Sequence, residues 1–325
     1  MINATKTLAL SAIFAAALAA CGGGGGDTTP TATTPTATTP PAPVALSTIV
    51  TSVPAATYAA GSDERAAYDL LNAERQKCGF GLLAQSTKLD AAAAAHSNYQ
   101  VVNNVSGHAE TQGLAGFTGA NPGARAIFQG YENNNVGEDI AFERSGLESM
   151  KVLFSGPYHL SSLVDSFVQV GISYKATSLS QLVRNALTVD NGRPGSKAEQ
   201  VPVAGSVLTY PCDGATDIKP TFSNESPNWA STTGIGAGGT PIVLTAPNQE
   251  ALVITSASYT PLAGGVVPVQ ILTSANDPNK LLRPSQVLII PPSSLVANSS
   301  YRVQISGTVA GVAFSKDFTF KTGGV

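Results

Sequence analysis

The apolar positions divide the chain into an N-terminal hydrophobic run, two helical stripes and a series of short alternating segments. Residues 8–20 are almost all Leu, Ala, Ile or Phe, and they follow a single charged side chain, Lys6. A basic start, an apolar stretch and small residues before a cysteine are typical of a secretory signal. The stretch is shorter than the roughly 20 residues that span a bilayer. We therefore predict a signal peptide over residues 1–20.

Residues 21–61 have no apolar periodicity from which a core could be built. A run of glycines is followed by repeats of Thr-Thr-Pro and Thr-Ala-Thr-Thr-Pro. Such Thr/Pro-rich chains favour an extended polyproline conformation. We predict a disordered tether over this segment.

The next two segments repeat apolar side chains with the period of a helix. Ser62 stands before two acidic residues, as at a helix N-terminus, and Gly79 is expected to end this helix in a left-handed conformation. A second helix is predicted from Ser86 to about Asn103. Its apolar stripe contains Leu89, Ala92, Ala93, His96, Tyr99 and Gln100.

From residue 202 onwards the period of the apolar side chains changes to two. Clusters of Asn, Asp, Ser and Pro separate the short segments, as they do between strands. The alternating sets are Leu252/Ile254, Val287/Ile289, Tyr301/Val303/Ile305 and Phe318/Phe320. This pattern predicts an antiparallel β-sandwich over residues 202–325.

Composition and charge exclude several classes of protein. The 18 Lys and Arg residues against 21 Asp and Glu residues give a net charge of −3, and 12% of the chain is charged. A nucleic-acid binder that works through a basic field is therefore excluded, as is a highly charged disordered chain. The three cysteines exclude a multi-cysteine metal cluster. Any histidine-based site must draw on His96, His108 and His159.

Several short motifs follow one another after residue 62. They are Leu71-Asn72-Ala73-Glu74-Arg75, Leu89-Asp90-Ala91-Ala92-Ala93-Ala94-Ala95-His96, Ser106-Gly107-His108, Val136-Gly137-Glu138-Asp139-Ile140-Ala141, Gly156-Pro157-Tyr158-His159 and Gln169-Val170-Gly171-Ile172-Ser173-Tyr174. In this order they resemble the bacterial CAP domain, also called SCP-like. The resemblance implies an α-β-α sandwich over residues 62–195, with a small, mostly antiparallel sheet between helical layers. The expected fold class is α+β, with this CAP-type sandwich followed by the all-β domain.

The same resemblance implies a cleft lined by His108, Glu138 and His159. Two imidazoles and a carboxylate suit a divalent metal such as zinc or calcium. They equally suit a hydrogen-bonded cluster in which Glu138 fixes the tautomer of a histidine. The sequence departs from the family pattern at Asp139, which replaces the usual Asn. Because His96 lies on the apolar stripe of the second helix, we interpret it as a core histidine outside the site.

The run Leu18-Ala19-Ala20-Cys21 resembles the lipobox of bacterial lipoproteins, in which the cysteine is acylated and becomes the new N-terminus. Acyl chains contribute about 0.8 kcal/mol per buried methylene, so several chains anchor a protein stably. By the same resemblance, Gly22 in place of Asp fits sorting to the outer membrane in a host that has one. We expect a lipid-anchored envelope protein, periplasmic or surface-exposed. A plain signal peptide with a chance cysteine is the alternative.

Cys78 and Cys212 are the thiols that remain once Cys21 is acylated. In an oxidising compartment they are expected to form a disulfide between the first helix and the start of the second domain. Two unpaired buried thiols are the alternative. The second domain resembles bacterial Ig-like domains in residues 211–217, 295–303 and 318–323. A spacer or adhesion module is the expected role of such a domain.

Catalysis has no support in the sequence, because no Gly-x-Ser-x-Gly nucleophile motif and no phosphate-binding loop occurs. Our main hypothesis is a non-catalytic binding module. Its partners are the membrane, through the anchor, and an envelope, lipid or protein ligand in the cleft, but no nucleic acid. The alternatives are a hydrolase that uses a metal-activated water with Glu138 as general base, and a structural envelope protein.

Overall fold

A computed structural model of the chain describes residues 48–195, 199–223, 225–230, 237–248, 250–262 and 264–324. The predicted signal peptide, the lipidation site Cys21 and the first part of the predicted tether lie outside these residues.

The first domain contains helices α1 to α5 and strands β1 to β4. In chain order these are α1 (Asp63–Lys77), β1 (Ala84–Gln85), α2 (Thr87–Asn103), α3 (Pro122–Phe128), β2 (Val136–Ala141), α4 (Gly146–Leu153), α5 (Pro157–Leu163), β3 (Gln169–Ala176) and β4 (Asn185–Gly192). The strands form one sheet in the order β1-β3-β4-β2. Only β1 and β3 run parallel in this sheet, and the other two pairs are antiparallel.

The predicted helix boundaries are confirmed by their capping residues. The hydroxyl of Ser62 accepts a hydrogen bond from the amide of Arg65, and that of Ser86 accepts one from the amide of Leu89. Each serine thereby satisfies an amide that has no partner inside the helix. Gly79 follows α1 with a φ of +81°, as expected for a left-handed stop.

The sheet of the first domain lies between two helical layers. On one face, Ile172 and Leu187 of the sheet belong to the same apolar cluster as Leu71 of α1. On the other face, α2 packs directly on the backbone of β3. A Cβ atom at Gly171 would lie 2.1 Å from the carbonyl carbon of Leu89, so only glycine allows this approach. The α-β-α arrangement is therefore confirmed.

The second domain, called the β-sandwich below, consists of strands β5 to β12. These are β5 (Leu208–Tyr210), β6 (Ala215–Ile218), β7 (Ile242–Thr245), β8 (Leu252–Pro261), β9 (Gln270–Thr273), β10 (Gln286–Ile290), β11 (Ser300–Val309) and β12 (Val312–Thr322). They form two sheets with the orders β5-β7-β10-β9 and β6-β12-β11-β8. The predicted alternation is clearest in β11, where Tyr301, Val303 and Ile305 are buried between more exposed neighbours.

One pairing in the β-sandwich differs from the antiparallel arrangement that the sequence predicts. β6 and β12 run parallel to each other. These two strands come from opposite ends of the domain in the chain. Because no hairpin joins β6 to β12, their connection does not require the two strands to run antiparallel.

Strand β10 also differs from its predicted alternating pattern. All five of its residues are buried, including those that were expected to face solvent. Helix α5 of the first domain packs on this strand, and the side-chain amide of Gln286 donates to the hydroxyl of Ser161 at 3.3 Å. The outer face of the sheet is thus covered by the first domain.

A disulfide and a shared apolar core join the two domains. The predicted bond between Cys78 and Cys212 is confirmed, and it closes a loop with a sequence separation of 134 residues. In the chain-entropy model such a loop contributes about 4 to 5 kcal/mol to stability. Close by, the rings of Phe154 and Tyr210 lie 4.9 Å apart across the junction.

The described end of the predicted tether contacts the first domain. The amide of Leu82 donates to the carbonyl oxygen of Val50 at 2.9 Å. The hydroxyl of Tyr58 donates to Asp90 of α2, and its ring lies 5.5 Å from that of Tyr68. The sequence predicts a disordered tether over residues 21–61. From Thr48 onwards the structure differs from this prediction, because Tyr58 packs on Tyr68 and forms a hydrogen bond with Asp90.

Candidate functional site

Two of the predicted cleft residues, His108 and Glu138, are in direct contact. Glu138 lies on β2 with its side chain 1% exposed, and His108 lies in the loop after α2 with its side chain 36% exposed. Nδ1 of His108 is 2.9 Å from Oε1 of Glu138. The predicted pairing of this carboxylate with a histidine is therefore present in the geometry.

The other oxygen of Glu138 is bound by Arg125, which sequence reasoning did not identify. Arg125 lies on α3 and is fully buried. Its Nη2 donates to Oε2 of Glu138 at 2.5 Å, and its Nη1 donates to the carbonyl oxygen of His108 at 3.1 Å. One guanidinium thus holds both residues of the pair in place. Arg125 belongs to none of the sequence motifs, and its spacing from His108 and Glu138 does not predict a contact with them.

His96 and Glu110 form a second buried pair directly behind the first. Nδ1 of His96 is 2.9 Å from Glu110, and its Nε2 is 3.0 Å from the carbonyl oxygen of Gly107. Both ring nitrogens therefore have partners, in agreement with the interpretation of His96 as a core histidine. Glu110 also accepts hydrogen bonds from the amides of Thr118 and Gly119 at 2.8 and 3.2 Å.

This network keeps Glu138 ionised although it is buried. Burial alone would raise the pKa of Glu138. The hydrogen bond from His108 and the electrostatic interactions with His96 and Arg125 outweigh this effect, so the pKa of Glu138 lies below its usual range. A carboxylate held in this way is a weak base.

The third predicted residue, His159, is bound by a different carboxylate. His159 lies on α5, and its Nδ1 is 3.2 Å from Oε2 of Glu225 in the β-sandwich. Burial would lower the pKa of His159, but Glu225 and the charge of Asp139 outweigh it and raise this pKa. Glu225 was not predicted, because it lies far along the chain in the other domain.

His108 and His159 nevertheless line the same two adjoining hollows. One has a volume of about 620 Å³ and the other about 390 Å³, and Ser226 of the β-sandwich borders both. The walls of the larger hollow come from both domains. Its β-sandwich side includes Ser226, Pro227, Leu281, Arg283 and Gln286. The structure thus brings the two predicted histidines to one open cleft, which we call the interdomain cleft.

The lining of the larger hollow also includes an ion pair that connects the domains. The guanidinium of Arg283 binds both oxygens of Asp165 in the first domain. Burial would raise the pKa of Asp165, but Arg283 outweighs it and holds this pKa below its usual range. The neighbouring Arg193 lies over the ring of Phe167, at 4.2 Å from its centroid.

The predicted three-ligand metal set does not match this geometry. Both oxygens of Glu138 are already engaged, by His108 and Arg125. Nδ1 of His159 faces Glu225. In the described part of the chain, no group of three or more His, Cys, Asp or Glu side chains is arranged to hold a metal ion. Zinc or calcium binding at His108, Glu138 and His159 stays a prediction. Of these three side chains, the two imidazoles are the ones that could still bind a metal ion.

Comparison with known proteins identifies the family of the first domain. Residues 68–183 match the model of the family described as "CAP: Cysteine-rich secretory protein family". The first domain is a CAP domain. No curated protein sequence matches the chain.

Two solved structures are similar to part of this chain. An extracellular protein containing an SCP domain from Bacillus anthracis str. Ames matches 40% of this chain with a TM-score of 0.34 and 19% identity. This chain spans only 39% of that protein. An outer surface protein from Borrelia burgdorferi matches 42% of this chain and 97% of its own, with a TM-score of 0.36 and 16% identity.

Asp139 of the CAP domain provides a test of the electrostatics of the cleft. Its carboxylate accepts hydrogen bonds from Ser162 and Asn191 at 2.9 and 3.0 Å, and its side chain is buried. Burial raises the pKa of Asp139 to about 7 from an ordinary value of 3.8. The neutral form therefore stabilises the fold at low pH, and this contribution is lost as the pH rises through about 7.

We predict that Asp139→Asn flattens the dependence of stability on pH between about 4 and 7. At roughly 1.4 kcal/mol per pKa unit, the wild-type chain loses about 4 kcal/mol over this window through Asp139. Denaturant unfolding at pH 4, 5, 6 and 7 measures the difference. Asp217→Asn, which changes an exposed carboxylate, should leave the slope unchanged. Parallel curves for the wild type and Asp139→Asn would contradict this electrostatic assignment.

Proposed function

We propose that this chain is an extracytoplasmic lipoprotein that binds an amphiphilic envelope ligand, such as a lipid, in its interdomain cleft. The observation that carries the proposal is that His108 and His159 line one cleft whose opposite wall belongs to the β-sandwich. Clefts of several hundred Å³ with an apolar lining and a few converging polar groups are typical small-molecule sites.

The lining of the cleft favours a ligand with both apolar and polar parts. Val136, Phe167 and Leu281 provide apolar surface, whereas the histidines and Arg193 provide polar groups. An amphiphile would place its hydrocarbon against the first set and its head group against the second. This is the reason for preferring a lipid to a fully polar ligand.

Binding is favoured over hydrolysis by the state of Glu138. A metal-assisted hydrolase would need this residue as a general base, and efficient bases have pKa values near the working pH. The pKa of Glu138 is instead lowered, and both of its oxygens have partners. The hydrolase therefore remains the second candidate, and a purely structural envelope protein the third.

The location of the protein rests on the sequence of its N-terminus. The signal-like residues 1–20 and the lipobox-like run ending at Cys21 support export and lipid anchoring. Among the described residues no helix is both long and apolar enough to cross a bilayer. By its resemblance, the β-sandwich is proposed to be Ig-like.

A binding experiment tests the proposed function. The full chain is titrated with three probes in detergent micelles: a phospholipid, a sterol and a soluble peptidoglycan fragment. Native mass spectrometry measures occupancy. We expect saturable 1:1 binding of the phospholipid without turnover, and an affinity about tenfold lower in His108→Ala and in His159→Ala, because each loses a polar contact to the ligand.

Lys321→Ala, an exposed change outside the cleft, serves as the control and should bind like the wild type. Equal binding by both histidine variants and the wild type, or no saturable binding at all, would reject a cleft function. Turnover of a probe, together with metal found by elemental analysis, would instead favour the hydrolase.

A second experiment tests the anchor. Cys21→Ser removes the thiol that would be acylated, so we expect the expressed full chain to move from the membrane fraction to the soluble fraction. The mass of the mature wild-type chain should exceed that of its polypeptide by the added acyl groups. A wild-type chain that fractionates as soluble, without added mass, would show that Cys21 is a chance cysteine behind a plain signal peptide.

A further inference from the structure

The side chain of Glu225 reaches from the β-sandwich to the first turn of α5. The side chain of Glu225, in the segment between β6 and β7, is 3% exposed. Its Oε1 accepts a hydrogen bond from the amide of Tyr158 at 3.0 Å, and its Oε2 accepts one from the amide of His159 at 3.3 Å. The residue at the N-cap position, Gly156, has no side chain to do this. A carboxylate from the other domain therefore takes the place of the helix cap.

The same carboxylate also contacts the ring of His159. Oε2 of Glu225 lies 3.2 Å from Nδ1 of this histidine, which is within hydrogen-bonding distance. The contact depends on Gly156, because a Cβ atom there would lie 2.8 Å from Oε2 of Glu225 and 3.2 Å from Nδ1 of His159. The absence of a side chain at this position allows one oxygen to approach both the helix and the ring.

The arrangement at His159 has a counterpart at His108. There Nδ1 of the ring faces Oε1 of Glu138 at 2.9 Å, and both rings line the interdomain cleft. A carboxylate that accepts the Nδ1 proton of a neutral imidazole leaves Nε2 as a hydrogen-bond acceptor. The CAP domain supplies this carboxylate for one histidine, and the β-sandwich supplies it for the other.

We propose that Glu225 is a positioning residue of the cleft, which fixes the tautomer and orientation of His159 so that Nε2 of this ring is the acceptor offered to a ligand. The β-sandwich is then a structural part of the binding site, and not a spacer beside it. The inference rests on the proposed function in treating His159 as a ligand-facing side chain. It also identifies the ligand chemistry at this point as a hydrogen-bond donor, such as a hydroxyl or ammonium group.

Nitrogen NMR of the full chain, labelled with ¹⁵N-histidine, tests this proposal without any ligand. The chain has three histidines, so their ring signals are few and can be assigned with His→Gln variants. At a pH where the rings are neutral, we expect His159 to be mainly the Nδ1–H tautomer in the wild type. In Glu225→Ala we expect Nε2–H to become its major tautomer, as in a solvent-exposed imidazole.

Two further variants separate positioning from a general effect on folding. Asp217→Asn breaks another contact between the domains, the ion pair with Lys151 at 2.9 Å, and should leave the signals of His159 unchanged. Gly156→Ala keeps the carboxylate of Glu225 but crowds it, so it should shift His159 in the same direction as Glu225→Ala does. If Glu225→Ala does not fold, Gly156→Ala decides the question alone.

The proposal is overturned if the wild type shows His159 mainly as Nε2–H, or if both Glu225→Ala and Gly156→Ala leave its tautomer unchanged. These outcomes differ from failure of the proposed function. A chain with the expected tautomers that binds none of the three probes would retain the effect of Glu225 on the His159 ring and reject the proposed function of the cleft.

Discussion

The interdomain cleft depends on how the short helix α5 is held between the two domains. Glu225 binds its first amides, the hydroxyl of Tyr158 binds Asp277, and Ser161 accepts a hydrogen bond from Gln286. Seven residues of helix are too few to be stable alone, so these contacts fix its position. Because His159 lies on this helix, its place in the cleft is set by the β-sandwich as much as by the CAP domain.

Three buried carboxylates around the cleft have a partner that favours their charged form. Glu138 is paired with Arg125, Asp165 with Arg283, and Glu225 with backbone amides and His159. Each carboxylate has a partner that offsets the cost of removing its charge from water. Asp139 has only neutral hydrogen-bond donors, and burial raises its pKa to about 7. The partners are side chains and amides of the protein itself. Glu138 and Glu225 are therefore engaged in orienting the two histidines and are not free to bind a metal ion.

Much of the fold was predictable because its signals are local. Ser62 and Ser86 mark helix starts, and Tyr301, Val303 and Ile305 mark one face of a strand. The pair His108 and Glu138 followed from the family resemblance. Arg125, Glu110 and Glu225 could not be predicted, because they meet the site through tertiary packing and share no sequence spacing with it. The same holds for the full burial of β10, which needs a helix from the other domain.

Amide hydrogen exchange tests most directly whether the two domains form one site. Amides in the first turn of a helix lack intrahelical partners and exchange rapidly unless another group binds them. The account predicts that the amides of Tyr158 and His159 are protected as strongly as the amide of Leu160, which donates to Gly156 within the helix. Rapid exchange at Tyr158 and His159 beside a protected Leu160 would contradict it, since α5 would then be folded without its cap from the β-sandwich.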